Sequence, residues 1–241
     1  YDGNDLSNPS QTADAIRFVT WEAALQSTGG QTRDKVIGGA CYLRVGAGSG
    51  RGQESPATYG FATTEPGVDS FAFAGQGKPQ VPEELGVPAV LVDSDRYVAI
   101  SADDEQSFVE EVSDEYQFAQ FRATFQIDQA SQDLVSLVVT WSGRGVNAHS
   151  ACADGATLYL WNYDFSCYDL VQASQDTDAE ITLTGSGSGA AASYVGRDGD
   201  VTIVLLVVSN DKKTGQEANT LYTDYVKVEV NASSGGGAVL P

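Results

Sequence analysis

The sequence predicts an all-β protein, a jelly-roll-like antiparallel β-sandwich with an N-terminal β-rich extension. Three observations lead there. Short β-branched and aromatic runs recur between residues 97 and 230, separated by Gly, Asp and Ser clusters, which is the pattern of strands joined by tight turns. Glycine is abundant, 26 of 241 residues, while long Ala/Leu/Glu/Lys stretches that favour helices are missing. No unit of about twenty to fifty residues repeats, which excludes a solenoid or a propeller. A 41% hydrophobic fraction is too rich for a disordered polymer and supplies a sizeable core.

The N-terminal region, residues 1–88, is the less regular part. After a polar arm over residues 1–12, residues 15–21 read as a strand or a short helix, and residues 36–45 as a strand with a glycine bulge. Residues 59–63 and 70–74 alternate aromatic and small side chains, as half-buried strands do. The stretch 75–88 carries three of the seven prolines and marks a boundary. From residue 89 to 230 the strands follow in series. Residues 97–101 lead into an acidic turn, and residues 117–127 place Phe118, Phe121, Phe125 and Ile127 with one step out of period, implying a bulge. Residues 134–141 form a nearly continuous apolar run, implying a central strand buried on both faces. Residues 157–163 and 167–172 form a hairpin, and residues 179–184, 201–208 and 221–230 complete the set. A tail, residues 231–241, ends the chain.

This order of segments resembles a β-sandwich module of large archaeal and bacterial cell-surface proteins. In that module a strand ending Trp-x-Gly, here at Trp141, leads into a Leu-Tyr-x-Trp-Asn hairpin, here Leu158, Tyr159, Trp161 and Asn162. Its last strand carries Tyr-Thr-Asp-Tyr-Val, matched by Tyr222, Thr223, Asp224, Tyr225 and Val226. The resemblance spans about residues 89–230. It implies a β-sandwich that serves as an accessory piece of a surface protein, not one particular activity.

Charge narrows the partners. With 33 acidic against 13 basic residues the net charge is −20, which repels nucleic acid and anionic membrane. No apolar run reaches the eighteen or so residues of a membrane span, so membrane insertion is not expected. The chain has no methionine and shows no signal sequence at Tyr1, so the expectation is a processed, exported protein of the extracellular space or cell surface. Three cysteines fit that compartment. Cys152 and Cys167 flank the same strand and form the expected disulfide, with Cys41 paired to either as the alternative. No C-x-x-C spacing points to zinc or redox chemistry.

Catalysis finds little support. The lone His149 lies in a loop near Ser142 and Ser150, but no Gly-x-Ser-x-Gly elbow accompanies it. The loop at 185–190 lacks a following helix long enough to seat a pyrophosphate. Acidic turns carry more. Asp93 and Asp95 precede the expected strand at 97–101, and Asp103 with Asp104 follow it, so these carboxylates are the candidate Ca²⁺ ligands. The two turns sit at opposite ends of one strand, so a site needs one of them plus a loop from elsewhere.

Trp141, Trp161, Tyr163 and Tyr168 are candidate sugar-stacking residues, although core packing is their commoner fate. Asn231 opens a glycosylation sequon. The Gly-rich tail ends in Ala238, Val239 and Leu240, an apolar tip suited to docking on an open sheet edge of the next subunit. The resulting expectation is a non-enzymatic subunit of a surface filament or layer, a head-to-tail homopolymer. The alternative is a Ca²⁺-assisted polysaccharide-binding or adhesive module.

The acidic surface generates the first prediction. Self-repulsion weakens the folded state most where screening is lost, so the thermal midpoint is expected to rise between low and roughly molar NaCl. A midpoint that stays flat or falls contradicts a salt-adapted surface.

Overall fold

A computed structural model describes residues 16–18, 43–45, 56–63, 68–104, 106–129, 131–196 and 201–232. The chain divides into two compact units, Tyr1–Glu54 and Ser55–Pro241. In the first, β1 (Ile16–Phe18) pairs antiparallel with β2 (Leu43–Val45), Ile16 facing Val45. The rest of the strand expected over 36–45 lies outside the described residues.

The second unit is the sandwich. Its strands are β3 (Ala57–Gly60), β4 (Ser70–Gly77), β5 (Val90–Leu91), β6 (Phe108–Glu111), β7 (Phe118–Gln126), β8 (Leu134–Asn147), β9 (Ala156–Asn162), β10 (Cys167–Ala173), β11 (Ile181–Gly185), β12 (Thr202–Ser209) and β13 (Asn219–Ala232). One sheet runs β10-β9-β12-β7-β4-β5; the other runs β11-β8-β13-β3, with β6 also on β13. Taking β3 and β7–β13 in chain order as strands one to eight gives the orders 1-8-3-6 and 2-7-4-5. Every connection among them changes sheet except the β9–β10 hairpin, which is the double Greek key of a jelly roll. β4 and β5 widen one sheet. The sandwich therefore takes in β3 and β4, N-terminal of the boundary expected at residue 88.

Alternation builds the core. Ala119, Phe121, Ala123 and Phe125 of β7, Leu158 and Leu160 of β9, and Ile203, Leu205 and Val207 of β12 face Leu137, Val139 and Trp141 of β8 and Val226, Val228 and Val230 of β13. Phe125 meets the Phe61 ring at 5.3 Å between centroids. Close approach demands glycine where β8 ends: a Cβ on Gly145 would strike the carbonyl of Gly155, whose N–H donates to the Gly145 carbonyl at 2.8 Å.

Four expectations need correction. Residues 97–101 are not a strand; Ser94–Ile100 is a 3-10 turn that buries Tyr97 and Ile100, three residues apart as that period requires. β7 has no bulge: its pairing with β4 and β12 is unbroken, because Ala119 takes the inward position and Phe118 packs on the outer face. β8 is not buried on both faces, since Val135 is 67% exposed. The doubly buried strand is β12, whose Val204, Leu206 and Val208 form a second apolar cluster on the outer side.

Phe125→Ala is expected to cost about 3–5 kcal/mol in urea unfolding, the usual loss for emptying a packed aromatic site. Val135→Ala is expected to change stability by roughly 0.5 kcal/mol or less. Equal effects at the two positions would contradict this assignment of the core.

Candidate functional site

The first constellation grows from β13. Along one side β13 pairs with β8. Along the other it pairs with β6 through residues 220–223 and with β3 through residues 227–230. Ser101 fills the gap between them by bridging to Tyr225. The register against β8 shifts between Thr223 and Tyr225, leaving Asp224 as the extra residue of a bulge, wholly buried. Gly143 allows the strands to come this close, since a Cβ there would meet the Tyr222 carbonyl.

Ser101 carries the chain to Asp103. Glu180 arrives just before β11, where Ile181 faces Gly143, and its Oε1 accepts from the Ser142 hydroxyl at 3.4 Å. Carboxylate oxygens of Asp103, Glu180 and Asp224 thus lie within 4.8 Å of one another, with Asp103 and Glu180 exposed and Asp224 buried. Three hard oxygen donors so close repel each other unless a proton or a cation sits among them.

Of the acids the sequence pointed to, only Asp103 joins this group. Asp104 instead accepts from the backbone N and Nε2 of Gln106, both at 3.2 Å. Asp93 and Asp95 lie exposed at the opposite end of the 3-10 turn, where the Asp93 carbonyl accepts from Arg96 N. Glu180 and Asp224 escaped the sequence reading because neither belongs to an acidic run. The signal for Asp224 was an acid inside an otherwise β-patterned strand.

The aromatic candidates separate. Trp141 belongs to the inter-sheet core, fully buried, its Nε1 donating to Thr223 Oγ1 at 3.1 Å. It cannot stack on a ligand. Trp161, Tyr163 and Tyr168 gather on the outer face of the six-stranded sheet, with Tyr159 and Arg122 beside them. Trp161 and Tyr168 meet edge to face at 4.9 Å. Arg122 stacks over Phe73 at 3.8 Å and donates from Nε to the Pro88 carbonyl at 3.2 Å.

Residues 78–88, between β4 and β5, lie over part of this face. Val81 and Leu85 pack on the cluster of Trp161, Tyr168 and Leu206, and Gln120 Nε2 donates to the Pro79 and Gln80 carbonyls at 3.3 and 3.1 Å. Tyr163 and Tyr159 stay half-buried, with the Tyr163 hydroxyl 2.9 Å from Thr202 Oγ1. Burial raises the phenol pKa of Tyr168, against the lowering charge of Arg122. Burial raises those of Tyr159 and Tyr163 as well, while hydrogen bonds to Thr157 and Thr202 work the other way.

The expected disulfide is absent: Cys152 and Cys167 are both free thiols. β9 separates them, because Cys152 precedes its start while Cys167 pairs with Asn162 at its end. At about 3.3 Å per residue the seven residues of β9 hold the two apart, against a bridging limit near 7 Å between Cα atoms. Cys41 lies outside the described residues, as do Ala238, Val239 and Leu240 of the expected assembly contact. Cys152 Sγ sits 3.7 Å from His149 Nδ1, whereas Ser142 engages Glu180 and Thr182, so a Ser142–His149 pair is not assembled. Asn231 donates from Nδ2 to Ser136 Oγ at 2.8 Å.

Residues 67–232 match the model of the family AF_1625_C, described as "Uncharacterized protein, C-terminal domain". No curated protein matches the chain. Solved structures similar to it include a xylan-binding module CBM15, at 14% identity over 53% of this chain and 99% of that one, with a TM-score of 0.32. Another is the CBM22-1 xylan-binding domain of Xyn10C from Paenibacillus barcinonensis, at 16% identity over 74% and 95%, with a TM-score of 0.32.

The raised phenols give a pH prediction. A tyrosine whose pKa is higher folded than unfolded contributes stability that is complete below the unfolded value of about 10 and is lost as pH rises through the folded one. Stability is therefore expected to fall above roughly pH 10, with the phenolates of Tyr159, Tyr163 and Tyr168 appearing only as the protein unfolds. Absorbance titration alongside circular dichroism checks this. Full ionisation of all tyrosines before any loss of structure contradicts it.

Proposed function

We propose that this chain, which belongs to the AF_1625_C family over residues 67–232, is an exported, non-catalytic module that binds a neutral polysaccharide and is stapled by Ca²⁺. One observation carries the reading: Tyr159, Trp161, Tyr163 and Tyr168 share a single outer sheet face with Arg122 and do not enter the inter-sheet core. Sugar rings present apolar C–H faces that stack on aromatic side chains, while hydroxyls at their edges bond to phenols and guanidinium donors. Half-buried Tyr159 and Tyr163 are the rings that a glycan can reach beside the strap of residues 78–88. The net charge of −20 works against an anionic polymer, so the preferred ligand is neutral.

Ca²⁺ enters through Asp103, Glu180 and Asp224. A cation among them relieves their mutual repulsion and ties three segments together: the turn after Ser101, the lead into β11 and the bulge of β13. Carbonyl and water oxygens complete the six to eight ligands that such an ion takes.

Two measurements test the proposal. Calorimetric titration of chelator-treated protein is expected to give one Ca²⁺ site that Asp103→Asn weakens at least about tenfold, the loss of one charged ligand contact; no binding heat at millimolar Ca²⁺ sinks the staple. Affinity electrophoresis through gels containing neutral polysaccharides is expected to retard the protein, and Tyr163→Ala is expected to abolish the retardation. Mobility unchanged by every polysaccharide tried contradicts the binding role.

A further inference from the structure

A cleft of about 380 Å³ opens where the edge strand β3 passes the ends of β4 and β7. Asp69, Gln126, Asp128, Gln129 and Thr63 line it, and Tyr59 forms part of its wall. Tyr59 organises the polar groups. Its hydroxyl donates to Gln129 Oε1 at 2.6 Å and accepts from Asp128 N at 3.2 Å. Gln126 N donates to the Asp69 carbonyl at 2.7 Å. The backbone and one phenol are thereby satisfied by each other. With its oxygen held by Tyr59, Gln129 has its amide nitrogen to offer. The carboxylates of Asp69 and Asp128 accept no hydrogen bond from a described residue.

The chemistry of this lining selects a ligand. No Lys, Arg or His borders the cleft, which disfavours phosphate, sulfate or a carboxylate sugar. The walls are carboxylates, carboxamides and hydroxyls, which disfavours an apolar ligand. Only two carboxylates are present, and neither belongs to the group of three that lies within one cation's reach. What remains is a neutral molecule rich in hydroxyl donors. Planar carboxylate and carboxamide groups take two neighbouring hydroxyls at once, and the volume lies at the small end of ligand sites, which run roughly 300–1,000 Å³.

We infer that this cleft binds a single neutral sugar unit, with Asp69 and Asp128 accepting from its hydroxyls and Gln129 donating to it. Tyr59 acts through Gln129 and Asp128 and is a positioning residue. The inference shares its ligand class with the sheet-face reading but none of its residues, so either can fail alone.

Titration of the full chain with a panel of neutral monosaccharides, followed by backbone amide shifts, tests it. Saturable shifts are expected at Asp69, Gln126, Asp128 and Gln129. Binding is expected to weaken at least about tenfold in both Asp69→Asn and Asp128→Asn, isosteric changes that each remove a charged acceptor, and to be unchanged in Tyr163→Ala. Tyr59→Phe, which keeps the ring and removes only the hydroxyl, is expected to weaken binding while leaving the melting point near that of the parent. No saturable shift with any neutral sugar overturns the inference, as does equal affinity in both Asn variants. So does sugar binding that is lost only in Tyr163→Ala, an outcome that leaves the sheet-face reading standing. Cleft shifts seen with Ca²⁺ and not with sugars also overturn it.

Discussion

The pairing of β8 with β13 is the constraint on which the rest of the sandwich depends. Both strands run fourteen residues, and they lie at the centre of their sheet. β13 changes the parity of its inward side chains midway: Leu221 and Thr223 point to the core above the break, and Val226, Val228 and Val230 below it. A strand alternates strictly, so that change requires one extra residue. The bulge supplies it at Asp224. Without the bulge either half of β13 would turn its apolar set to solvent, and every partner in the sheet would lose register. The same irregularity gathers three carboxylates, because Ser101 enters where β6 and β3 leave β13 uncovered.

The opposite sheet solves a different problem. β12 is apolar on both faces, so its outer side needs cover that the second sheet cannot give. The chain between β4 and β5 provides it, and the polar grip of Gln120 and Arg122 on backbone carbonyls fixes that cover in place. Proline suits this role, since a residue without an N–H leaves no donor stranded against an apolar surface. The aromatic side chains at the margin of the cover are those with both a stacking face and a polar tip. A binding surface there grows out of the need to shield β12.

Much of this was legible in the residues themselves. Strands β7 to β13 follow from period-two patterning and turn residues, and the alternating sheets follow from their number and spacing. The 3-10 turn at 94–100 was not, because Tyr97, Val98 and Ile100 have strand-like character while the decision lies in local i to i+3 bonds begun at Asp93. The cysteine pairing failed because two residues that flank one strand in sequence stand at its two ends in space. Tyr59, Asp69 and Gln129 come together only through the jelly-roll crossing, which short-range spacing cannot encode. The parity change in β13 was written in the sequence, and it is the signal that would have found Asp224.

Amide hydrogen exchange with and without Ca²⁺ tests this account most directly, because local protection reports which segments a bound ion holds. The account predicts that Ca²⁺ slows exchange at Asp103, at Glu180 and Ile181, and from Tyr222 to Val226, while the β9–β10 hairpin is unaffected. Protection that rises uniformly, or not at all around the bulge, would contradict it.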